Sequence, residues 1–384
     1  MKILWLTSWY PNKTDAFTGD FIQRHAQATA PYASLTVIHV QMVKKYFQQN
    51  SIEIQNHQHT HFTEQIVYVK PSNCIAPFNI LINQILYLYQ YKKAISKYIQ
   101  QNGKPQLVHV HIPIKAGIIA LWLKFTYQIK YVLSEHYGIY NNYALNNYQQ
   151  RPFWFKYFTK KIVKNAVTFL PVSNNLGNAI GALVTPVNYT TIMNVVDTSV
   201  FHYNPNNHND NFLFVHVSFM NHAKNTEGII RAFATAYHQN STLRLRLVGP
   251  IKNHLTTLVH SLQLSNVVDF VGLQPQHKIA HHLKSSNAFV LFSNYENMPC
   301  VIAEALCCGL PIISTNVGGI PEIIDDSNGI LLSIKDEEAL SIALLKMANN
   351  YSNYNLLDIA TKAADTFGYL VIGKKIAQVY QSVL

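Results

Sequence analysis

Acidic residues are scarce in the first half of this chain. Residues 1–190 hold 18 Lys and Arg but only 5 Asp and Glu, a local charge of +13. The remainder holds 12 and 14, a charge of −2, and the two sum to the +11 of the whole. Cysteine is scarce too. Cys74 and Cys300 stand alone, Cys307 and Cys308 are adjacent, and there is no C-x-x-C. That excludes a disulfide framework and a zinc ribbon and fits a reducing cytoplasm. No apolar run reaches the ~18 residues of a membrane-spanning helix. The opening MKILWLTSWYP has too short an apolar core for a signal peptide and reads as a first buried strand. P-loop, nucleophile-elbow and Cys-His arrangements are missing as well.

What is present is a large apolar and aromatic content. Hydrophobic residues make up 48% of 384 positions and aromatics 12%, enough for a folded chain of two domains. A basic half and a near-neutral half predict different partners for each. No nucleic-acid-binding module occurs, so nucleic acid is not expected. An anionic acceptor or an anionic lipid surface fits the basic half.

The chain is organised around Ser293–Glu322, SNYENMPCVIAEALCCGLPIISTNVGGIPE. Ala288 to Phe292 run apolar without alternation, as a buried strand does. A polar loop follows, then a helix from about Pro299 whose buried face is Val301, Ile302, Ala305 and Leu306. Gly309 stands where a helix C-cap belongs, and Leu310 to Ser314 begin the next strand. This is the strand–loop–helix–strand unit of a parallel sheet, with its binding loop at the strand's C-terminal end. Glu296 and Glu304 frame the loop. Between them lie backbone N–H groups of a helix start, which suit an anion. At ~1.5 Å per helical residue the two carboxylates could stand about 10 Å apart. That suits a ligand with phosphate in the middle and a hydroxyl-bearing sugar at each end. Spacing alone equally allows a solvated Glu296 and a structural Glu304.

E-x7-E followed by G-L-P-I-I and GGIPE resembles the nucleotide-sugar site of the retaining glycosyltransferases of family 4, an α/β family with the GT-B fold. The resemblance runs from Trp5 to about Tyr380. It implies two Rossmann-like domains whose parallel sheets face each other across a cleft. Residues 1–195 would bind the acceptor, with helix 366–384 packing back on them, and residues 196–365 would bind the donor. It implies that Glu296 approaches hydroxyls of the transferred sugar and that Glu304 holds the nucleotide ribose. Asn297, Met298, Pro299, Cys300 and Val301 would line the donor site between them. Gly318 and Gly319 would let backbone approach the donor, and Glu322 would begin a helix. Gly272 to Gln276 would lie by the nucleotide base.

The rest of the chain fits this outline. Lys2 to Thr7 reads as strand one. Gly19 precedes the helix FIQRHAQATA, where backbone could meet a phosphate, and the resemblance places it near the donor diphosphate or the acceptor. Arg24 and His25 in that helix read either toward the cleft or toward solvent. Leu35 to Val40 is a strand, 44–64 a polar loop or irregular hairpin, and Ile66 to Val69 a short strand. The helix PFNILINQILYLYQYKKAISKYIQ reads as an outer helix or an interfacial one. His109 and His111 alternate on a strand and share a face; no third ligand is local, so no metal is expected. Ser134–Glu135–His136 ends another strand and resembles the family's T-x-H element. That resemblance gives His136 contact with the donor sugar, with Glu135 as the alternative. In RPFWFKYFTKKIVKNA, Phe153, Trp154, Phe155, Tyr157 and Phe158 alternate with Arg151, Lys156, Lys160, Lys161 and Lys164. Such a face suits an anionic membrane, or its aromatics belong to the core.

IMNVVDTSVF resembles the family's interdomain connection, and NPNNHNDN after it reads as a linker. In relatives the next loop carries an Arg and a Lys against the donor diphosphate. Here the Lys is Lys224, and Asn221 stands at the Arg position. The resemblance therefore implies a hexosyltransferase that uses a nucleotide-diphosphate sugar, a UDP-sugar for example. The acceptor would be a glycan or lipid-linked hydroxyl in cell-surface polysaccharide or glycolipid synthesis at the inner membrane face. Glu296, His136 and Lys224 would serve catalysis, with no cofactor or metal. Two rival readings are a non-catalytic nucleotide-sugar-binding subunit, which Asn221 favours, and a GT-B epimerase. The epimerase would need more cleft acids than the first half supplies.

Overall fold

The computed structural model of the protein describes residues 1–44, 51–73, 78–205 and 211–384. Cys74 and most of the expected linker, residues 206–210, lie outside the described residues. The strands in chain order are β1 (Lys2–Thr7), β2 (Ser34–Met42), β3 (Ile52–Gln58), β4 (Phe62–Val69), β5 (Leu107–His111), β6 (Tyr131–Glu135), β7 (Thr168–Pro171), β8 (Phe212–Val217), β9 (Leu243–Val248), β10 (Val268–Gly272), β11 (Ala288–Leu291), β12 (Ile312–Thr315) and β13 (Gly329–Leu332). They form two sheets, ordered β3-β4-β2-β1-β5-β6-β7 and β10-β9-β8-β11-β12-β13. Every pairing is parallel except that of β3 with β4.

Parallel sheets are covered on both faces, which is why β1, β8 and β11 are apolar without alternation. The first sheet's covering helices are α1 (Asp20–Thr29), α2 (Phe78–Asn102), α3 (Ala116–Tyr127), α4 (Phe153–Asn165) and α5 (Asn174–Leu183). The second sheet is covered by α6 (Thr226–Gln239), α7 (Asn253–Ser261), α8 (Gln276–Lys284), α9 (Cys300–Cys307), α10 (Glu337–Asn349) and α11 (Leu356–Phe367). The last helix, α12 (Tyr369–Val383), returns to the first sheet and packs on α1. Ile372, Ile376 and Tyr380 share a core with Ile22, Ala26 and Trp5. The face opposite carries α2 to α5, whose Tyr91, Ile119, Ile162 and Leu176 share another core.

Two elements differ from the sequence reading. The polar stretch before residue 64 forms a regular hairpin in its described part, with β4 starting at Phe62 rather than Ile66. β3 is mostly exposed and is held by backbone ladder bonds, so its side chains carry no apolar signal. The terminal helix starts at Tyr369 rather than at 366, because α11 runs on to Phe367 and the chain breaks at Gly368. There the chain crosses between the sheets beside its first crossing: Val196 N–H donates to Phe367 O at 2.8 Å, and Val196 bridges to Gly368.

His109 and His111 lie on one face of β5, fully buried beside Trp5. Nδ1 of His109 is 2.6 Å from the Tyr380 hydroxyl and Nε2 is 2.8 Å from Ser134 Oγ. The pair belongs to the core. Among the described residues no three His, Cys, Asp or Glu are placed to hold a metal ion. No helix of those residues is long and apolar enough to cross a membrane.

Candidate active site

A cleft of about 490 Å³ runs between the two sheets and is lined by both halves of the chain. Its second-half wall is the unit the sequence announced. β11 delivers Phe292 and Ser293 from the core, the loop turns through Glu296, and Pro299 caps α9. The helix ends after Cys308, where Gly309 takes φ +82°. His136, Lys224, Glu296, Asn297, Met298, Pro299, Cys300, Val301 and Glu304 all line this one cleft, with Leu273, Gln274 and Gln276 nearby on the same wall.

Both glutamates are engaged by cations. Lys224, at the end of a short 3₁₀ turn, forms an ion pair with Glu296, and Ser293 Oγ donates to the same oxygen at 2.7 Å. Arg24 reaches from α1 across the cleft, and its Nη1 donates to Glu304 Oε1 at 2.6 Å. Its Nη2 donates to Asp20 Oδ2 at 3.2 Å. Burial pushes the Glu304 carboxyl up, and Arg24 pulls it back. Burial also pushes the Cys300 thiol up to about 12, so this cysteine is no thiolate nucleophile. The open alternative for Arg24 and His25 is thereby resolved: both are buried, Arg24 toward the cleft and His25 between Phe21 O and Met193 O.

On the opposite wall, Glu135 and His136 divide their roles. Glu135 is wholly buried and accepts from the backbone N–H of His136 and Tyr137 and from the Tyr140 hydroxyl. Burial raises its carboxyl to about 7 despite these bonds. It fixes the turn that brings His136 to the cleft wall, where both its ring nitrogens are buried. His136 packs against Phe21, and its carbonyl accepts from Asn297 Nδ2 at 2.9 Å, so the two walls touch here. Asn194 Nδ2 likewise donates to Met298 O at 2.6 Å.

Gly19, Gly318, Gly319 and Glu322 each meet a neighbouring segment closely. Gly19 caps α1 with φ +78° but does not line the cleft. A Cβ there would come within 2.7 Å of the Trp9 and Tyr10 backbone. Gly318 and Gly319 press on the loop that carries Glu296: a Cβ on Gly318 would lie 2.1 Å from Glu296 O, and one on Gly319 2.7 Å from Asn297 O. Their small size lets the loop that carries Glu296 pack against them. Glu322 lies in a 3₁₀ turn, and its carboxylate accepts from the N–H groups of Asn174 and Asn175, at 2.9 and 2.8 Å, where α5 begins. It caps a helix of the other half, which no local pattern could reveal.

Asp20 and the Asn194 side chain are site residues the sequence reading missed. Asn194 lies within the interdomain segment IMNVVDTSVF, but a short polar side chain there, or in a helix's first turn, carries no periodic signal; only the chain's folding back brings it to the cleft.

The profile of the family "Glycosyl transferases group 1" matches residues 200–364, and that of "Glycosyltransferase Family 4" matches residues 39–200. The chain belongs to glycosyltransferase family 4. Its fold is GT-B. This family 4 chain is 25% identical over 369 residues to TuaC of Bacillus subtilis, named as a teichuronic acid biosynthesis glycosyltransferase. That match covers 90% of this chain and 89% of the relative. It is 28% identical over 158 residues to WcaL of Salmonella typhimurium, named for colanic acid biosynthesis, covering 38% of this chain and 39% of the relative. Among solved structures, sucrose-phosphate synthase of Thermosynechococcus elongatus superposes with a TM-score of 0.79 at 18% identity, covering 100% of this chain and 99% of that one. HepE of Anabaena, solved with UDP, superposes at 0.73 with 17% identity, each chain covered in full. At those identities the likeness is one of fold.

Proposed function

We propose that this glycosyltransferase moves a hexosyl unit, with retention at the anomeric carbon, from a nucleotide-diphosphate sugar to a hydroxyl acceptor in cell-surface polysaccharide synthesis. The observation that carries the reading is the convergence of Glu296, Lys224, the start of α9 and Glu304 on one wall of the cleft, with His136 opposite. Two neighbours in fold, the HepE complexes, hold UDP and UDP-glucose, and a uridine donor is the first to test.

In this reading the nucleotide ribose lies at Glu304, the diphosphate at the start of α9, and the sugar between Glu296 and His136. Departure of the nucleoside diphosphate is the step to be helped. Lys224 swings from Glu296 to the leaving diphosphate, and the unpaired N–H groups of α9 face the same charge. Glu296, released, accepts from sugar hydroxyls. Closure of the two halves excludes water. Retention rests on family membership. No metal is required where Lys224 and the helix start supply the positive charge.

A lipid surface is the proposed place of work. Residues 65–196 carry 13 Lys and Arg and a single acid, Glu135, which is buried. Phe78, Ile80, Leu81 and Ile85 on the first turns of α2, and Phe153 and Trp154 on the first turn of α4, are exposed. Both helices pack against α3, so they share a face of the sheet. Both follow parallel strands, so they start at the edge that holds the cleft. Apolar tips with lysines behind them match an anionic bilayer, and a lipid-linked acceptor would then reach the cleft from it.

The test is a panel of UDP-, GDP- and ADP-sugars scored by thermal shift and by donor hydrolysis, on wild type and Glu304→Ala. Stabilisation and turnover by one nucleotide class, both lost in the variant, are expected. Binding without turnover of any donor in the presence of acceptor extracts would favour the non-catalytic subunit, for which Asn221 in the cleft wall speaks. An epimerase would interconvert donor sugars without transferring them.

A further inference from the structure

Among the described residues lining the cleft, Arg24 and Lys224 are the two Lys or Arg side chains, and they come from opposite halves. Lys224 is about a fifth exposed, whereas Arg24 is 5% exposed. A buried guanidinium must be held by hydrogen bonds and opposite charge. Nη1 and Nη2 meet Glu304 and Asp20, and Nε, also buried, has no partner. Asp20 is held in turn by Gln276 of α8, whose Nε2 donates at 3.3 Å. The four side chains thus form a chain from α1 to α9 and α8, closing the cleft at the ribose end.

Glu304 gives Oε1 to Arg24, and no hydrogen bond to Oε2 is present among the described residues. A carboxylate held by a guanidinium at one oxygen keeps the other for ligand hydroxyls, and a bidentate-capable Arg fixes its plane. Resting on the donor-site reading above, we propose that Arg24 is a positioning residue of that site, delivered by the opposite half of the chain. It aims the Glu304 carboxylate at the nucleotide ribose, so that the ribose subsite is complete only when the cleft is closed. Donor recognition and closure are then one event.

The charged and titratable groups facing Glu304 are Arg24 and Asp20 on α1, Cys300, Cys307 and Cys308 on and after α9, and Tyr369 at the start of α12. Arg24 is the cation among them. Without it, burial and Asp20 both push the Glu304 carboxyl upward, so the acid end of a pH series loses its charge first. Calorimetry of UDP, GDP and ADP with wild type, Arg24→Gln and Arg24→Lys between pH 6 and 9 tests this, with melting curves to confirm folding. Arg24→Gln is expected to weaken the preferred nucleotide at least tenfold at pH 7 and to regain affinity as pH rises. Arg24→Lys, which keeps the charge but not the planar fork, should lose part of the affinity without the added pH dependence, and each variant is read relative to wild type at the same pH. Binding by Arg24→Gln as tight as wild type, or tighter, would overturn the proposal; the latter would make Arg24 a latch that the ribose must displace. A loss that does not vary with pH would also overturn it. Failure of wild type to bind any nucleotide would sink the donor-site reading itself, a separate outcome. Should Arg24→Gln not fold, Arg24→Lys carries the test, and nucleotide affinity in it equal to or above wild type overturns the proposal.

Discussion

Acidification from pH 7.5 to 5.5 should destabilise this enzyme steeply. His109, His111 and His216 are buried, and burial holds each imidazole below its usual range, His216 at about 4. In the unfolded chain each takes up a proton near pH 6.5. Below that pH the unfolded state binds more protons than the folded one, so stability is lost as pH falls toward the folded values. The loss is roughly 1.4 kcal/mol per histidine per pH unit. Glu135 acts the other way. Its carboxyl, raised to about 7, keeps a proton that the unfolded chain releases down to about pH 4.3. Over that window it offsets roughly one histidine. The three histidines less Glu135 leave two protons, roughly 2.7 kcal/mol per pH unit below about pH 6, from which Glu304, its carboxyl also pushed up by burial, takes a part. His25 and His39, also buried and lowered, steepen the fall. Urea denaturation followed by far-ultraviolet circular dichroism at pH 7.5, 6.5 and 5.5 measures it. The four tryptophans, Trp5, Trp9, Trp122 and Trp154, all lie in the first half, so their fluorescence reads that half alone. There His109 and His111 are opposed by Glu135, while in the second half His216 is opposed by Glu304, whose carboxyl burial also pushes up. His216→Gln should therefore remove the second half's loss of stability on acidification and leave the fluorescence transition unchanged. A midpoint that stays constant or rises on acidification would refute the reasoning.

Other outcomes follow from the site and the surface. Lys224→Ala should lower kcat by roughly a hundredfold or more, as loss of one charge at a leaving group does, while uridine binding measured by calorimetry stays near the wild-type value. Phe153→Ser with Trp154→Ser should abolish flotation with anionic vesicles and leave hydrolysis of a soluble donor unchanged; equal flotation of both proteins would remove the helix tips from the lipid contact.

The second-half wall of the cleft was legible because its information is local. A strand apolar on both faces, a turn, a helix start and two carboxylates eight positions apart sit within one stretch of chain. His136 was legible for the same reason, as the end of a strand. The partner of Glu304 was not: Arg24 stands 280 residues away, and nothing in either segment records the other. The aromatic run of α4 carried a signal that periodicity could have resolved. Phe155 and Phe158, three apart and followed by Ile162, pack inward, while Phe153, Trp154 and Tyr157 point out. The hairpin of β3 escaped because an edge strand bonded through its backbone needs no apolar side chains. Gly318 and Gly319 were read for what they could admit, whereas their neighbours show what they must not obstruct.

The side-by-side passage of the chain at Val196 and Gly368 bears on how the cleft can move. A single connecting strand would act as a swivel, leaving one half free to turn about three axes. Two strands joined by a backbone hydrogen bond act as a door hinge. Opening is then confined mainly to one rotation, and the same two faces meet each time it reverses. Arg24 and Glu304, on opposite leaves, would return to register without a search.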